Sequence, residues 1–316
     1  MRNILPTTYN NTRSYLGRCR AMNDQPRSLA SMLFPVGLLL IAMASIQSGA
    51  SLAKSMFPVV GAQGTTTLRL IFASVIMLLL LRPWRAKLTA KSLRTVIVYG
   101  MALGGMNFLF YMSSRTVPLC IAVALEFPGP SSVAIYASRR AIDFLWIGLA
   151  IAGLVLLIPT GATTAGIDLV GAGYALGAGI CWALYILFGQ RAGADNGVTT
   201  AALGVMIAAL FVAPIGIVHA GAALLTPSLI PIAIGVAILS TALPYTLEMV
   251  ALTRMPARTF GTLMSIEPAF GALSGLLFLQ EYLTLSQWMA IMCIILASVG
   301  ATMTMGSAAK PAIAAD

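Results

Sequence analysis

The sequence predicts an all-α polytopic membrane protein: ten transmembrane helices in two inverted five-helix repeats. Three observations lead there. Apolar runs of about 20 residues, the length a spanning helix needs, recur along the chain. Basic residues collect between alternate runs, and a proline pattern repeats at an offset of 138 residues. Composition agrees: 59% of residues are hydrophobic and 9% charged, where soluble domains carry roughly 25% charged residues. Mean hydropathy is +0.92.

Residues 1–28 are polar, contain Arg2, Arg13, Arg18, Arg20 and Arg27, and read as a disordered cytoplasmic tail. The first apolar run is full length, lacks a clear small-residue cleavage site and is followed by Lys54. It therefore reads as an uncleaved span rather than a signal peptide. The expected spans are Leu33–Ala53, Thr65–Leu81, Thr95–Met112, Val117–Ala137, Phe144–Thr160, Leu169–Phe188, Val198–His219, Leu229–Leu252, Thr259–Leu279 and Leu285–Met305. Residues 33–160 form the first repeat, 165–305 the second, and 306–316 a disordered C-terminal tail. The gaps leave no room for a further soluble domain. Strands of a membrane β-barrel would be shorter and would alternate.

Net charge is +10, but the basic residues form no single patch, which argues against nucleic-acid binding. Sixteen of the nineteen lie in segments that share one side if the N-terminus is cytoplasmic. Lys54 and Arg115 fall on the other side, and Arg69 lies within span 2. The positive-inside rule thus selects cytoplasmic termini.

The repeat aligns "TVPLCIAVALEFPGP" (Thr116–Pro130) with "RMPARTFGTLMSIEP" (Arg254–Pro268), so that Pro118 meets Pro256 and Pro130 meets Pro268; Asp143 then meets Glu281. Five spans per repeat is an odd number, so the second half inserts upside down relative to the first. Inverted repeats with interrupted helices at matching places mark a transporter's binding site. Pro128, Pro130 and Pro268 remove backbone donors, and the freed carbonyls are tolerable only in protein or beside a wet cavity.

Few ionisable groups lie within spans: Arg69, Glu126, Glu248 and Glu267. A charge at mid-span costs roughly 2.5–3.5 kcal/mol on insertion scales, so Glu126 and Glu267 are expected to face a cavity or a partner. The plainer reading is a buried structural carboxylate. Glu248, near the end of its span, is expected to pair with a basic loop group such as Arg254. Arg69 either binds a carboxylate or snorkels outwards. Asn107, Tyr111, Trp182, Tyr185 and Tyr245 carry groups suited to lining a polar cavity, though aromatic residues also serve as belts and packing. The steps Gly100/Gly104, Gly173/Gly177 and Gly271/Gly275 suit close helix approach.

Other chemistries lack their residues. No GxxxxGK[ST], HExxH or GxSxG motif with a histidine partner occurs, and His219 is the single histidine. The cysteines, Cys19, Cys120, Cys181 and Cys293, form no CxxC pair and read as packing residues. Neither an enzyme, a cofactor nor a metal site is expected.

Four stretches resemble a known family: "GGMNFLFYMS" (Gly104–Ser113), "TVPLCIAVALEFPGP", "GAGICWALYILFGQRAGA" (Gly177–Ala194) and "AILSTALPYTLEMVALTRMPARTFGTLMSIEPA" (Ala237–Ala269). They are similar to the bacterial threonine/homoserine exporters of the EamA-like branch of the drug/metabolite transporter superfamily. The resemblance covers roughly residues 43–304 and departs at Pro128, where a hydroxyl residue is expected. It implies ten helices in inverted repeats and a carrier of the bacterial inner (plasma) membrane that exports small amino acids on an ion gradient rather than ATP. On that reading Glu126 meets the substrate ammonium or a coupling proton, with Glu267 the second candidate. Substrate would exchange for protons by alternating access. Two alternatives stand beside it: a broader drug or metabolite exporter of the same fold, and a channel or membrane scaffold.

Overall fold

The structure, a computed structural model, describes residues 29–85, 89–129, 168–255, 260, 263–264 and 266–306, with single residues between 142 and 156. The expected tail 1–28, residues 307–316, Pro130, Pro256, Asp143 and most of the expected fifth span lie outside the described residues. The described chain is helical: α1 (Leu29–Lys54), α2 (Phe57–Leu81), α3 (Ala90–Ser113), α4 (Leu119–Glu126), α5 (Leu169–Asn196), α6 (Thr199–Ala220), α7 (Leu229–Ala237), α8 (Leu243–Arg254), α9 (Glu267–Leu279) and α10 (Leu285–Gly306). A π-helical turn, Ile238–Ala242, joins α7 to α8.

Six of the described helical stretches are long and apolar enough to cross a membrane: Leu33–Lys54, Phe57–Leu81, Ala90–Ser113, Leu169–Asn196, Thr199–Leu225 and Leu229–Arg254. They coincide with expected spans one to three and six to eight. Two shorter apolar helices, Glu267–Leu279 and Leu285–Ala297, fall in the last two. The chain is a multi-pass membrane protein.

Local chemistry sets the helix ends. Thr89 caps α3, its hydroxyl accepting from Ser92 N at 3.2 Å. Asp168 caps α5, accepting from Val170 N and Gly171 N at 3.1 Å each and from Thr116 Oγ1 at 2.8 Å. The Thr116 hydroxyl and these N–H groups hold the Asp168 carboxyl below its ordinary pKa. Helix α2 starts earlier than hydropathy alone predicts and kinks at Gly61, where φ is +67°, a conformation that favours glycine.

Packing brings the ends of the chain together. Helix α3 runs along α5 and α6, α2 along α6, α1 along α8 and α9, and α4 sits against α5 and α9. Gly104 meets the Ala208 backbone, where an added Cβ would come within 3.1 Å of Cα, and Gly271 meets Val123 at 3.2 Å. Gly173, in contrast, faces nothing within 4 Å. Its expected role in close helix approach does not hold, because that face of α5 carries no neighbour among the described residues.

Candidate functional site

At the centre of the bundle lies a cavity of about 40 Å³. Its walls include Gln47 and Ala50 from α1, Arg69 from α2, Met106, Asn107 and Phe110 from α3, and Glu126 from α4. Trp182 of α5, Tyr245 and Glu248 of α8 and Glu267 of α9 complete it. Six sequence-predicted residues therefore line one space: Arg69, Asn107, Glu126, Trp182, Tyr245 and Glu267. Tyr111 and Tyr185 stand one layer behind, each bonded to a residue of the wall.

Arg69 does not snorkel. It is 2% exposed, and its guanidinium points inward. Nη2 donates to Asn107 Oδ1. Nη1 donates to Ser240 Oγ at 3.1 Å, Ser240 O at 3.4 Å and Tyr111 OH at 3.3 Å. Its Cζ lies 4.6 Å from the Tyr111 ring centroid, a cation–π distance. Asn107 is held in turn, its Nδ2 donating to Leu103 O at 2.7 Å while Oδ1 accepts from Tyr245 OH at 2.9 Å.

The acceptor on Ser240 has a cause in the sequence. Pro244 has no N–H, so the carbonyls one turn before it lose their helical donor. The π turn spreads that loss over two residues. Leu239 O accepts from Ser45 Oγ at 2.6 Å, and Ser240 O accepts from Arg69. Gly49 of α1 allows the approach, since a Cβ there would come 2.8 Å from Ser240 N. π turns frequently sit at functional sites.

Three carboxylates line the same cavity as this cation. Glu126 ends α4 and is 7% exposed, and its side chain makes no hydrogen bond among the described residues. Its place is set by the backbone: Gly179 of α5 packs directly on the Glu126 carbonyl, and Gly129 on Gly179. The adjoining Phe127 meets the Trp182 ring edge-on at 6.0 Å. Pro128 follows this end, half-buried.

Glu267 lies in the first turn of α9 and is 6% exposed. A helix N-terminus suits a carboxylate. Pro268 sits in the same turn, where no intrahelical donor is needed; it starts a helix rather than breaking one. Gln47 Nε2 donates to Glu267 Oε1 at 3.1 Å, whereas Glu267 Oε2 and Gln47 Oε1 are buried without a partner.

Glu248 corrects the sequence reading. It is 5% exposed, accepts from Tyr185 OH at 3.0 Å and lines the cavity, while Arg254 lies over the Phe34 ring at 5.2 Å. Its spacing of three from Tyr245 puts both on one helix face, the signal that could have placed it. Gln47, a neutral amide in an apolar run, gave no comparable signal.

The arrangement suits a small zwitterion. A guanidinium matches a carboxylate, and the carboxylates lining the same cavity match an ammonium. Three carboxylates with one guanidinium leave an excess of negative charge that an ammonium or protons would balance. The volume of about 40 Å³ holds about three waters at ~10–15 Å³ each.

Comparison with known proteins adds independent findings. Residues 169–303 match the model of the EamA-like transporter family. The chain is 55% identical over 287 residues to the threonine/homoserine exporter RhtA of Escherichia coli K12, covering 90% of this chain and 97% of that protein. It is 57% identical over 270 residues to the RhtA of Salmonella typhimurium SL1344, covering 85% and 92%. One crystal structure of a protein 17% identical aligns with a TM-score of 0.60 over 87% of this chain and 99% of the other, a likeness of fold alone.

Proposed function

The chain belongs to the EamA-like transporter family, and from that premise we propose that it exports threonine and homoserine across the bacterial inner membrane by proton-coupled alternating access. The observation that carries the proposal is the central cavity, whose lining brings Arg69 and Asn107 together with Glu126, Glu248 and Glu267. The named activity of relatives 55–57% identical supports the same substrate class.

Each group has a task. Arg69, steadied by Tyr111 and Ser240, takes the substrate carboxylate; Asn107 and Tyr245 reach its hydroxyl; Glu126 takes the ammonium. Moving a substrate across the membrane requires the cavity walls to part. A site that opens to one side at a time does this without leaving a continuous pore. The charged groups in the lining favour a small zwitterion over a bulky apolar drug.

Ten spans in two inverted repeats, with both termini cytoplasmic, complete the proposal. Its support is the pairing of helices. At the 138-residue offset Asn107 corresponds to Tyr245, and these two are hydrogen-bonded, as residues astride a pseudo-twofold axis would be. The α3–α5 and α1–α8 contacts are likewise related by exchanging the two halves, as are α4–α5 and α1–α9. The basic residues of Arg82–Arg94 and Arg254 then face the cytoplasm, with Lys54 and Arg115 outside.

The test is uptake of labelled threonine into inverted membrane vesicles with and without a proton gradient. The proposal expects saturable uptake stimulated by an acidic interior. No uptake above vesicles lacking the protein would refute it, and non-saturable flux without counterflow would favour a channel.

A further inference from the structure

A line of polar contacts leaves the cavity between α1 and α9. Gln47 bonds Glu267 at 3.1 Å. One turn on, Ser51 Oγ and Ser274 Oγ are 2.9 Å apart. Beyond them Lys54 Nζ meets Glu281 Oε1 at 2.8 Å, and Leu119 N donates to Glu281 Oε2 at 2.9 Å. Positions 47, 51 and 54 share one face of α1, and their partners 267, 274 and 281 advance in the same direction. The seam rises about 10 Å at 1.5 Å per residue. Ser51 and Ser274 are 4% and 5% exposed, whereas Lys54 and Glu281 are partly open, at 19% and 17%.

A second, independent observation stands at the inner end. Glu267 Oε2 and Gln47 Oε1 are both acceptors, both buried and both without a donor. An ionised carboxylate can only accept, whereas a protonated one also donates. A proton on Glu267 Oε2 would turn one of these unpartnered acceptors into a donor. The other groups facing this space are Arg69, Asn107, Glu126, Trp182, Tyr245 and Glu248.

We propose that the seam is the route by which protons reach Glu267 from the Lys54 face, so that Glu267 carries the coupling proton and Glu126 the substrate ammonium. This rests on the exporter reading above. Per cycle one proton binds a Glu267 carboxylate oxygen from outside and leaves it to the cytoplasm, while one zwitterion moves outward. No bond other than O–H forms or breaks, and one positive charge moves inward. The Ser51–Ser274 step is the one to test, because replacing both hydroxymethyl groups by methyl groups makes an apolar gap, and apolar gaps stay dry.

The experiment uses the full-length protein in proteoliposomes and two readouts: labelled-threonine counterflow at equal pH, and threonine transport driven by a pH gradient. The Ser51→Ala/Ser274→Ala double variant should keep counterflow within about twofold of the unaltered protein yet lose at least tenfold of the gradient stimulation. Glu267→Gln should lose the stimulation too. Full stimulation in the double variant overturns the proposal, and so does equal loss of counterflow and stimulation, which marks a structural role. Should the double variant not reconstitute, Ser274→Ala alone decides by the same ratio. If the unaltered protein shows counterflow but no gradient stimulation, proton coupling itself fails; if it shows neither, the exporter reading fails.

Discussion

Substituting Gly179 with alanine tests how Glu126 is positioned. A Cβ on Gly179 would press on the Glu126 carbonyl oxygen and lie 3.1 Å from its carbon and 3.4 Å from its Cα. Ordinary carbon–oxygen contacts between helices lie near 3.3–3.6 Å, so the end of α4 must retreat by about 1 Å. Overpacking of this kind costs roughly 1–3 kcal/mol. The functional effect is larger, because Glu126 moves with its backbone, and a displacement of ~1 Å at a reacting group can cost ~10²-fold. Gly173→Ala is the control, since a Cβ there meets nothing within 4 Å on the same helix. The assay is initial-rate threonine counterflow in proteoliposomes, with thermal unfolding in detergent followed alongside. Gly179→Ala should lower the melting temperature and cut the rate between tenfold and a hundredfold, with Gly173→Ala unchanged. Equal behaviour of the two variants would refute the reasoning.

Arg69→Lys removes the fork that reaches Asn107, Tyr111 and Ser240. Hydrogen bonds to charged groups are worth ~1.5–3 kcal/mol, so the half-saturating threonine concentration should rise about tenfold to a hundredfold; a change below twofold would show that Arg69 does not hold the carboxylate. Pro244→Ala supplies an N–H that competes with Arg69 for the Ser240 carbonyl. It should add about 1 kcal/mol of stability while slowing transport, and an unchanged transport rate would count against the π turn as part of the site. Asp168 has a lowered pKa in the folded state, so its capping contribution is complete above its unfolded pKa of about 3.9 and fades as pH falls through the lower folded value. A melting-temperature series from pH 6 to pH 3 should therefore show a steeper acid decline in the unaltered protein than in Asp168→Asn.

Much of this was legible because lipid leaves few choices. Apolar run length located α1, α2, α3, α5, α6 and the α7–α8 span. The insertion cost of a central carboxylate drew attention to Glu126 and Glu267. Hydropathy carries no phase, however, so it could not tell whether Arg69 turned outward or inward, or that Glu248 lay on the Tyr245 face. The break at Pro244 was missed for a related reason. Its consequence is two freed carbonyls whose acceptance by Ser45 and Arg69 needs three helices in place. Neutral groups such as Gln47, Ser51 and Ser274 cost little to bury when paired, so only the pairing reveals them.

The central claim is that a buried carboxylate on α4 receives the substrate ammonium. Threonine counterflow by purified, reconstituted Glu126→Gln tests it most directly, with proteoliposome incorporation and thermal unfolding matched to the unaltered protein. The account predicts that exchange falls to the background of protein-free liposomes. Exchange at the unaltered rate, with unaltered half-saturation, would contradict it.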